Sequence, residues 1–186
     1  MASETPSPPA AAALSTAAPA APEADTEDDA ALESVFGMPG HLLRRCHQIS
    51  VAIFLDACAA YDLTPLQFVT LVALARGGPL EQVALGGVTA LDRTTTAVVV
   101  KKLEERGLAS KQPSPSDRRS KLVAVTAAGR ALLDAVLPTV EAAQFRILAP
   151  LNARERVLFL RLLDKIARGN NELSRAPCRL RPKPPA

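Results

Sequence analysis

Long apolar runs are missing from this 186-residue chain, although 48% of it is hydrophobic. No stretch approaches the roughly 20 residues that a membrane-crossing helix needs. The start has neither the basic opening nor the continuous apolar segment of a secretion signal. A cytoplasmic protein with no membrane partner is expected. Cysteine is scarce too: Cys46, Cys58 and Cys178 form no CxxC pair, and with only two histidines no metal-ligand spacing arises. Cys46 and Cys58 stand twelve residues apart on one expected helix, roughly 18 Å at helical rise, so they cannot bridge each other. Small thiols packed in a reducing compartment are the simple reading. Also absent are G-x-S-x-G, H-E-x-x-H, a P-loop and a dinucleotide fingerprint, and the acids are scattered singly along helical faces. Enzyme chemistry therefore has no foothold, and neither a metal nor a cofactor is expected.

Charge of one sign is missing from the first stretch. Six of the 19 acids fall in residues 1–29, which hold no Lys or Arg, so the rest of the chain sets 22 basic groups against 13 acidic ones. Such a surplus favours a polyanionic partner. One domain with tails is the expectation at this length. Residues 1–35, rich in Pro, Ala and acid with little to bury, have the composition of a disordered arm. Residues 171–186 end in "APCRLRPKPPA", a basic, Pro-rich tail expected to be flexible and to fray from the last helix.

Between these tails the pattern is mainly helical. From His41 to Tyr61, Leu42, Cys46, Ile49, Ile53 and Ala57 recur at helical spacing, with Leu43, Ser50, Phe54 and Cys58 in a second stripe beside them. That predicts a helix buried over more than half its circumference, against a partner chain as well as its own domain. "TPLQ" at Thr64 places an N-cap, a proline at the first helical position and a glutamine that can bond back; Gly77 and Gly78 stop the helix. "LEQVALGG" reads as a third helix ended by its glycines, and "VTALDRTTTAVVVKKLEERG" as a turn feeding a fourth, the layout of a helix-turn-helix. "LASKQP" and "KLVAVT" alternate as the arms of a hairpin. Thr126 caps a long helix, and a closing helix follows from about Asn152 to Arg168 with Val157, Leu160, Leu163 and Ile166 along one side. Pro138 and Pro150 are expected to kink or break the path between these two.

The fourth helix carries the sharpest pattern. Thr96, Val99, Val100 and Leu103 make an inward face, leaving Arg93, Thr94, Ala97, Val98 and Lys101 outward. Short side chains near the start permit close approach to a DNA major groove, hydroxyls such as those of Thr94 and Thr95 meet base edges, and the lysines meet the backbone. Asp92 is the expected N-cap. Val98 has two readings: it packs on a thymine methyl, or the helical phase is shifted and it belongs to the core. In the hairpin, Ser116, Asp117, Arg118 and Arg119 form the tip of a wing flanked by Lys111 and Lys121. An arginine there gains from the potential of a narrow minor groove, and Asp117 can orient it.

The segment "LDRTTTAVVVKKLEERGLASKQPSPSDRRSKLVAVTAAGRALL" resembles the MarR family of winged helix-turn-helix transcription regulators, with its D-R-[ST]-T helix opening, "LE-RG" helix end, "D-RR" wing and T-A-A-G after the second wing strand. The resemblance runs roughly from Gly40 to Arg168. It implies a mainly α fold with a small β-hairpin wing. A domain over 36–170 would hold dimerisation helices at about 40–61 and 127–169, with a DNA-binding lobe at about 63–126. It further implies a homodimer on a pseudo-palindromic site in double-stranded DNA. By position the wing arginine falls on Arg119 and its supporting acid on Asp117. Two departures stand out: Val98 where many members have a polar or basic residue, and Val125 in place of the commoner leucine.

"PGHLLRRCHQISVAIF" is similar to the branch that often governs catabolism of aromatic acids, nicotinate-like heterocyclic acids included. That similarity implies a small aromatic or heteroaromatic carboxylate effector bound between the dimer helices and the winged lobe. Arg44, Arg45 and His47 are the candidate cations, Gln48 a hydrogen-bonding amide, and Phe54, Tyr61 and Phe68 the candidate ring contacts. Each also has a structural reading, as solvated helix face or core. Two alternatives stay open beside release by an effector: thiol or peroxide sensing through Cys46, with Arg45 or His47 lowering its pKa, and DNA binding that answers to no ligand.

Overall fold

The computed structural model describes residues 32–114 and 121–179. The chain separates into two compact units, one ending at Arg44 and one beginning at Arg45. In the described part of the first, a helical turn over 32–36 closes through the Gly37 N–H donating to Glu33 O (3.0 Å), and the rings of Phe36 and His41 sit 5.1 Å apart.

Helix α1, Pro39–Ala57, crosses the boundary between the units and is followed by a 3-10 turn, Ala59–Tyr61. In the second unit come α2 (Pro65–Gly77), a two-residue strand β1 (Leu80–Glu81), α3 (Gln82–Thr89) and α4 (Arg93–Glu105). The wing strands β2 (Ala109–Pro113) and β3 (Lys121–Val125) follow, then α5 (Ala127–Ile147) and α6 (Ala153–Gly169). The order of helices around one hairpin is the expected one. The fold is mainly α with a small antiparallel sheet.

Helix starts follow the cap chemistry. Thr64 and Gln67 exchange side-chain and backbone hydrogen bonds (3.3 and 3.0 Å), closing a capping box with Pro65 at the first position. Thr126 accepts from the Gly129 N–H at 3.1 Å, and Asn152 with Glu155 forms a second box. Gly78, with φ 73°, ends α2.

Four local expectations are corrected. Leu80 and Glu81 form a strand pairing with Val123 and Leu122 of β3, so the sheet has three strands in the order β1-β3-β2. Gly86 and Gly87 do not end the third helix but lie inside it; the stop is Ala90, left-handed at φ 55°. The reason is space: a Cβ on Gly86 would stand 2.8 Å from Leu91 O and 2.9 Å from Thr96 Oγ1, so glycine lets α4 approach α3. Pro138 leaves α5 unbroken, while Pro150 does fall in the turn before α6. The expected frayed tail is a docked segment as far as Arg179, described below.

The core joins Leu71 and Leu74 of α2, Leu85 of α3, Val99, Val100 and Leu103 of α4, Val123 of β3 and Val136 of α5, with Phe54 and Cys58 at the end of α1. Burial of the first helix is thus confined to its C-terminal end; Leu42, Leu43, Cys46 and Ile49 are exposed within the chain, against the expected broad burial. α6 buries nothing, and Val157, Leu160, Leu163 and Ile166 are all exposed.

Because Gly86 meets a backbone carbonyl that cannot yield, Gly86→Ala is expected to cost about 1–3 kcal/mol despite alanine's better helix propensity. A urea unfolding curve read against wild type checks it; equal midpoints would refute the close-approach account.

Candidate nucleic-acid interface

α4 is held as a reading element by what lies behind and before it. Thr96, Val99, Val100 and Leu103 are buried, which fixes the helical phase, and Arg93, Thr94, Ala97, Val98 and Lys101 are exposed. Val98 is 50% exposed and is not a core residue. Thr96 is anchored twice, its hydroxyl donating to Asp92 O at 2.8 Å and lying 3.3 Å from Leu91 O.

Asp92 caps the helix as expected. Its Oδ1 accepts from the Thr95 N–H (2.8 Å) and its Oδ2 from the Thr95 hydroxyl (2.9 Å). The Thr95 backbone bond, then the Thr95 hydroxyl, hold the carboxyl below the usual carboxylate range, with smaller help from the Thr94 amide and the Arg175 charge. Thr95, a candidate base contact, therefore spends its hydroxyl proton on the cap. At the other end, the Arg106 guanidinium donates to Tyr61 O at 2.9 Å and to Asp62 O, tying the end of α4 to the turn after α1. Sequence reasoning passed over Arg106, since only the fold brings residues 61 and 106 together.

Of the wing residues, Ser116, Asp117, Arg118 and Arg119 lie outside the described residues. Lys121 is exposed at the start of β3. Lys111, expected to meet DNA, is instead drawn onto Glu104 at 2.6 Å, with both side chains about one-third exposed or less. That ion pair clamps β2 to α4. Lys101 stays 76% exposed beside Glu105 at 3.6 Å, a pairing too open to neutralise it.

His47 lines a largely apolar cavity of about 530 Å³ with Val51, Leu55, Pro65 and, from α4, Thr94, Thr95, Val98 and Lys102. Arg45 and Gln48 lie exposed on α1 outside that lining, and Arg44 is exposed in the first unit. Phe54 is buried in the core and packs on the partly buried Phe68 with ring centroids 5.8 Å apart, and neither belongs to the cavity lining that holds His47. Tyr61 is half-buried, its hydroxyl donating to Ala135 O at 3.1 Å. Lys102 was missed because it falls off the outward stripe of α4. Cys46 is exposed, not buried as its place on the apolar stripe implied, whereas Cys58 is buried and burial pushes its thiol up. Among the described residues no group of His, Cys, Asp or Glu could hold a metal, and no single helix is long and apolar enough to cross a membrane.

A helix-turn-helix whose second helix projects small and basic side chains, followed by a two-stranded wing, defines a winged-helix DNA-binding protein. Comparison with known proteins gives the narrower class. Residues 61–120 match the MarR family model. The chain is 42% identical over 127 residues to the HTH-type transcriptional repressor NicR of Pseudomonas putida, spanning 68% of this chain and 80% of that protein. It superposes with a TM-score of 0.68 on BpsR of Bordetella bronchiseptica, whose DNA binding is regulated by 6-hydroxynicotinic acid (38% identity, 71% of this chain and 94% of BpsR). With the repressor CouR bound to a 23-mer DNA duplex the TM-score is 0.67 (30% identity, 72% and 94%). The chain belongs to the MarR family and is a DNA-binding transcription regulator, not an enzyme.

The Asp92 cap gives a pH signature. Its carboxyl is lowered on folding, so its contribution is complete above the unfolded value of about 3.9 and is lost as pH falls through the lower folded one. Asp92→Ala is expected to unfold at lower urea than wild type at pH 7, Asp92→Asn much less so. The wild-type advantage should shrink below about pH 4; a gap that stays constant to pH 2 would contradict the cap.

Proposed function

We propose that the protein is a cytoplasmic homodimeric repressor that reads a pseudo-palindromic operator with α4 and the wing and is released by a small aromatic or heteroaromatic carboxylate. The observation that carries the ligand half is the cavity shared by α1 and α4. Its walls are largely apolar, Lys102 offers a cation and His47 an imidazole hydrogen bond to a carboxylate, and Thr94 and Val98 on the same wall belong to the outward face of the reading helix. A ligand seated there touches the reader itself, so occupancy and the setting of α4 are coupled through one contact. Regulation of the BpsR relative by 6-hydroxynicotinic acid supports the chemical class. On the DNA side, Arg93, Thr94, Ala97, Val98 and Lys101 form the groove-facing set, with Ser116, Asp117, Arg118 and Arg119 as the wing tip.

Dimerisation rests on α6. A helix with no buried residue and Val157, Leu158, Leu160, Leu162 and Ile166 each 46% or more exposed would leave a broad apolar face in water. The exposed Leu42, Leu43, Ile49 and Leu55 of α1 offer a matching surface on a second copy. The domain reading that follows places dimerisation at about 40–61 and 127–169 and the DNA-binding lobe at about 63–126.

Leu160→Glu is expected to yield a monomer in sedimentation velocity with its winged lobe folded; an unchanged dimer would remove α6 from the interface. For the effector, nicotinate, 6-hydroxynicotinate and benzoate are screened by thermal shift. A true ligand at 100 times its Kd adds about 2.7 kcal/mol, and it should also release labelled duplex. His47→Gln and Lys102→Gln should blunt both effects. If no acid stabilises the protein and releases DNA, the effector reading fails.

A further inference from the structure

The basic segment after α6 is docked where none of the sequence signals placed it. Past a 3-10 turn, Asn171–Leu173, the chain folds back on itself. Asn171 clasps the backbone of Cys178 from both sides, Oδ1 accepting from its N–H at 2.8 Å and Nδ2 donating to its carbonyl at 3.3 Å. Glu172 and Arg179 form a two-pronged ion pair, with Nη2 to Oε2 at 2.9 Å, and the guanidinium holds the Glu172 carboxyl below its ordinary range. The Arg179 N–H then donates to Gly87 O at 2.7 Å, a carbonyl near the end of α3 that also accepts the longer 3.4 Å bond from the Ala90 N–H. Gly87 makes room for this strap: a Cβ there would lie 3.2 Å from Arg179 Cβ.

The strap forms one wall of a groove of about 870 Å³. The opposite walls are Gln82 and Val83 of α3, Asp92, Arg93 and Ala97 at the start of α4, and Lys121 at the start of β3. Arg93, Lys121, Arg175 and Arg179 line it against two acids, Glu81 and Asp92. With Glu172 paired to Arg179, the four cations stand against three carboxylates, Glu81, Asp92 and Glu172, so the groove keeps a small positive surplus, and the exposed Arg175 lies near enough to Asp92 to help hold its carboxyl below the usual range.

We infer that the strap is a further DNA-binding element, in which Arg175 contacts a backbone phosphate beside the segment read by α4, while Asn171, Glu172 and Arg179 position it. A strand of duplex lying along the exposed face of α4 passes this groove, and a phosphate is the group that a ring of guanidinium and ammonium side chains recognises. The inference rests on the DNA-reading assignment of α4, and the test separates the two.

Binding of the full chain to a fluorescein-labelled 30-base-pair duplex of random sequence is followed by anisotropy between 50 and 200 mM KCl. Loss of one phosphate contact lowers the slope of log K against log salt by about 0.9 per engaged protomer. Arg175→Ala should show that drop, and so should Lys101→Ala as a reference on α4. Gly87→Leu, which replaces glycine with a good helix former in α3 but pushes the strap away, should reproduce the Arg175→Ala slope with α3 still folded by circular dichroism. An unchanged slope for Arg175→Ala beside a reduced one for Lys101→Ala would overturn the strap and leave the α4 assignment standing. Tighter binding by Arg175→Ala and Gly87→Leu would make the strap a competitor of DNA and overturn it as well. Failure of wild type to bind the duplex would sink both assignments.

Discussion

The reading surface depends on α3 and α4 meeting closer than two side-chain-bearing helices can. At Gly86 the missing Cβ leaves Leu91 O and the Thr96 hydroxyl where a methyl group would otherwise stand. Thr96 answers from α4 with a buried side chain bonded to the backbone just before its own helix. With that contact made, Val99, Val100 and Leu103 fall into the core below it, and the opposite face has no choice but to point outward. Arg93, Ala97, Val98 and Lys101 are presented by subtraction, as what remains when the inward set is buried.

Around this contact, polar groups secure the ends of α4. Asp92 closes the start, and Arg106 fastens the finish to the carbonyls of Tyr61 and Asp62. The Lys111–Glu104 pair then joins the helix to the wing strand β2. The result is a reader braced at both ends and along one side. The Tyr61–Arg106 link joins it to the turn after α1, and His47 of α1 and its own Lys102 line one cavity. Coupling of a small ligand to DNA affinity needs no more than that these contacts have two settings of similar free energy.

Two faces of the chain remain at odds with water. Among the described residues, nothing covers the aliphatic side chains of α6 and of the outer side of α1. Their spacing is as regular as that of α4, yet these side chains are exposed. Hydrophobic spacing records that a face avoids water and not whose atoms replace it. The same ambiguity explains Phe54 and Phe68, which satisfied an aromatic-pocket reading yet pack on each other, Phe54 in the core.

What the residues determined alone was the chemistry of caps, phases and strand arms. The capping threonines and asparagine, the phase of α4, the arms of the wing and the glycine stop after α2 all follow from chemistry within a few positions, where backbone amides and 3.6-residue spacing leave little freedom. The tertiary structure alone decided which distant groups meet: Leu80 with Val123, Arg106 with Tyr61, Lys111 with Glu104, and Arg179 with Gly87. Gly86 and Gly87 show the limit most clearly, since glycine reads as a stop until a neighbour is known to need the space. Such meetings depend on how separate elements pack, a property of the whole core that no short window contains.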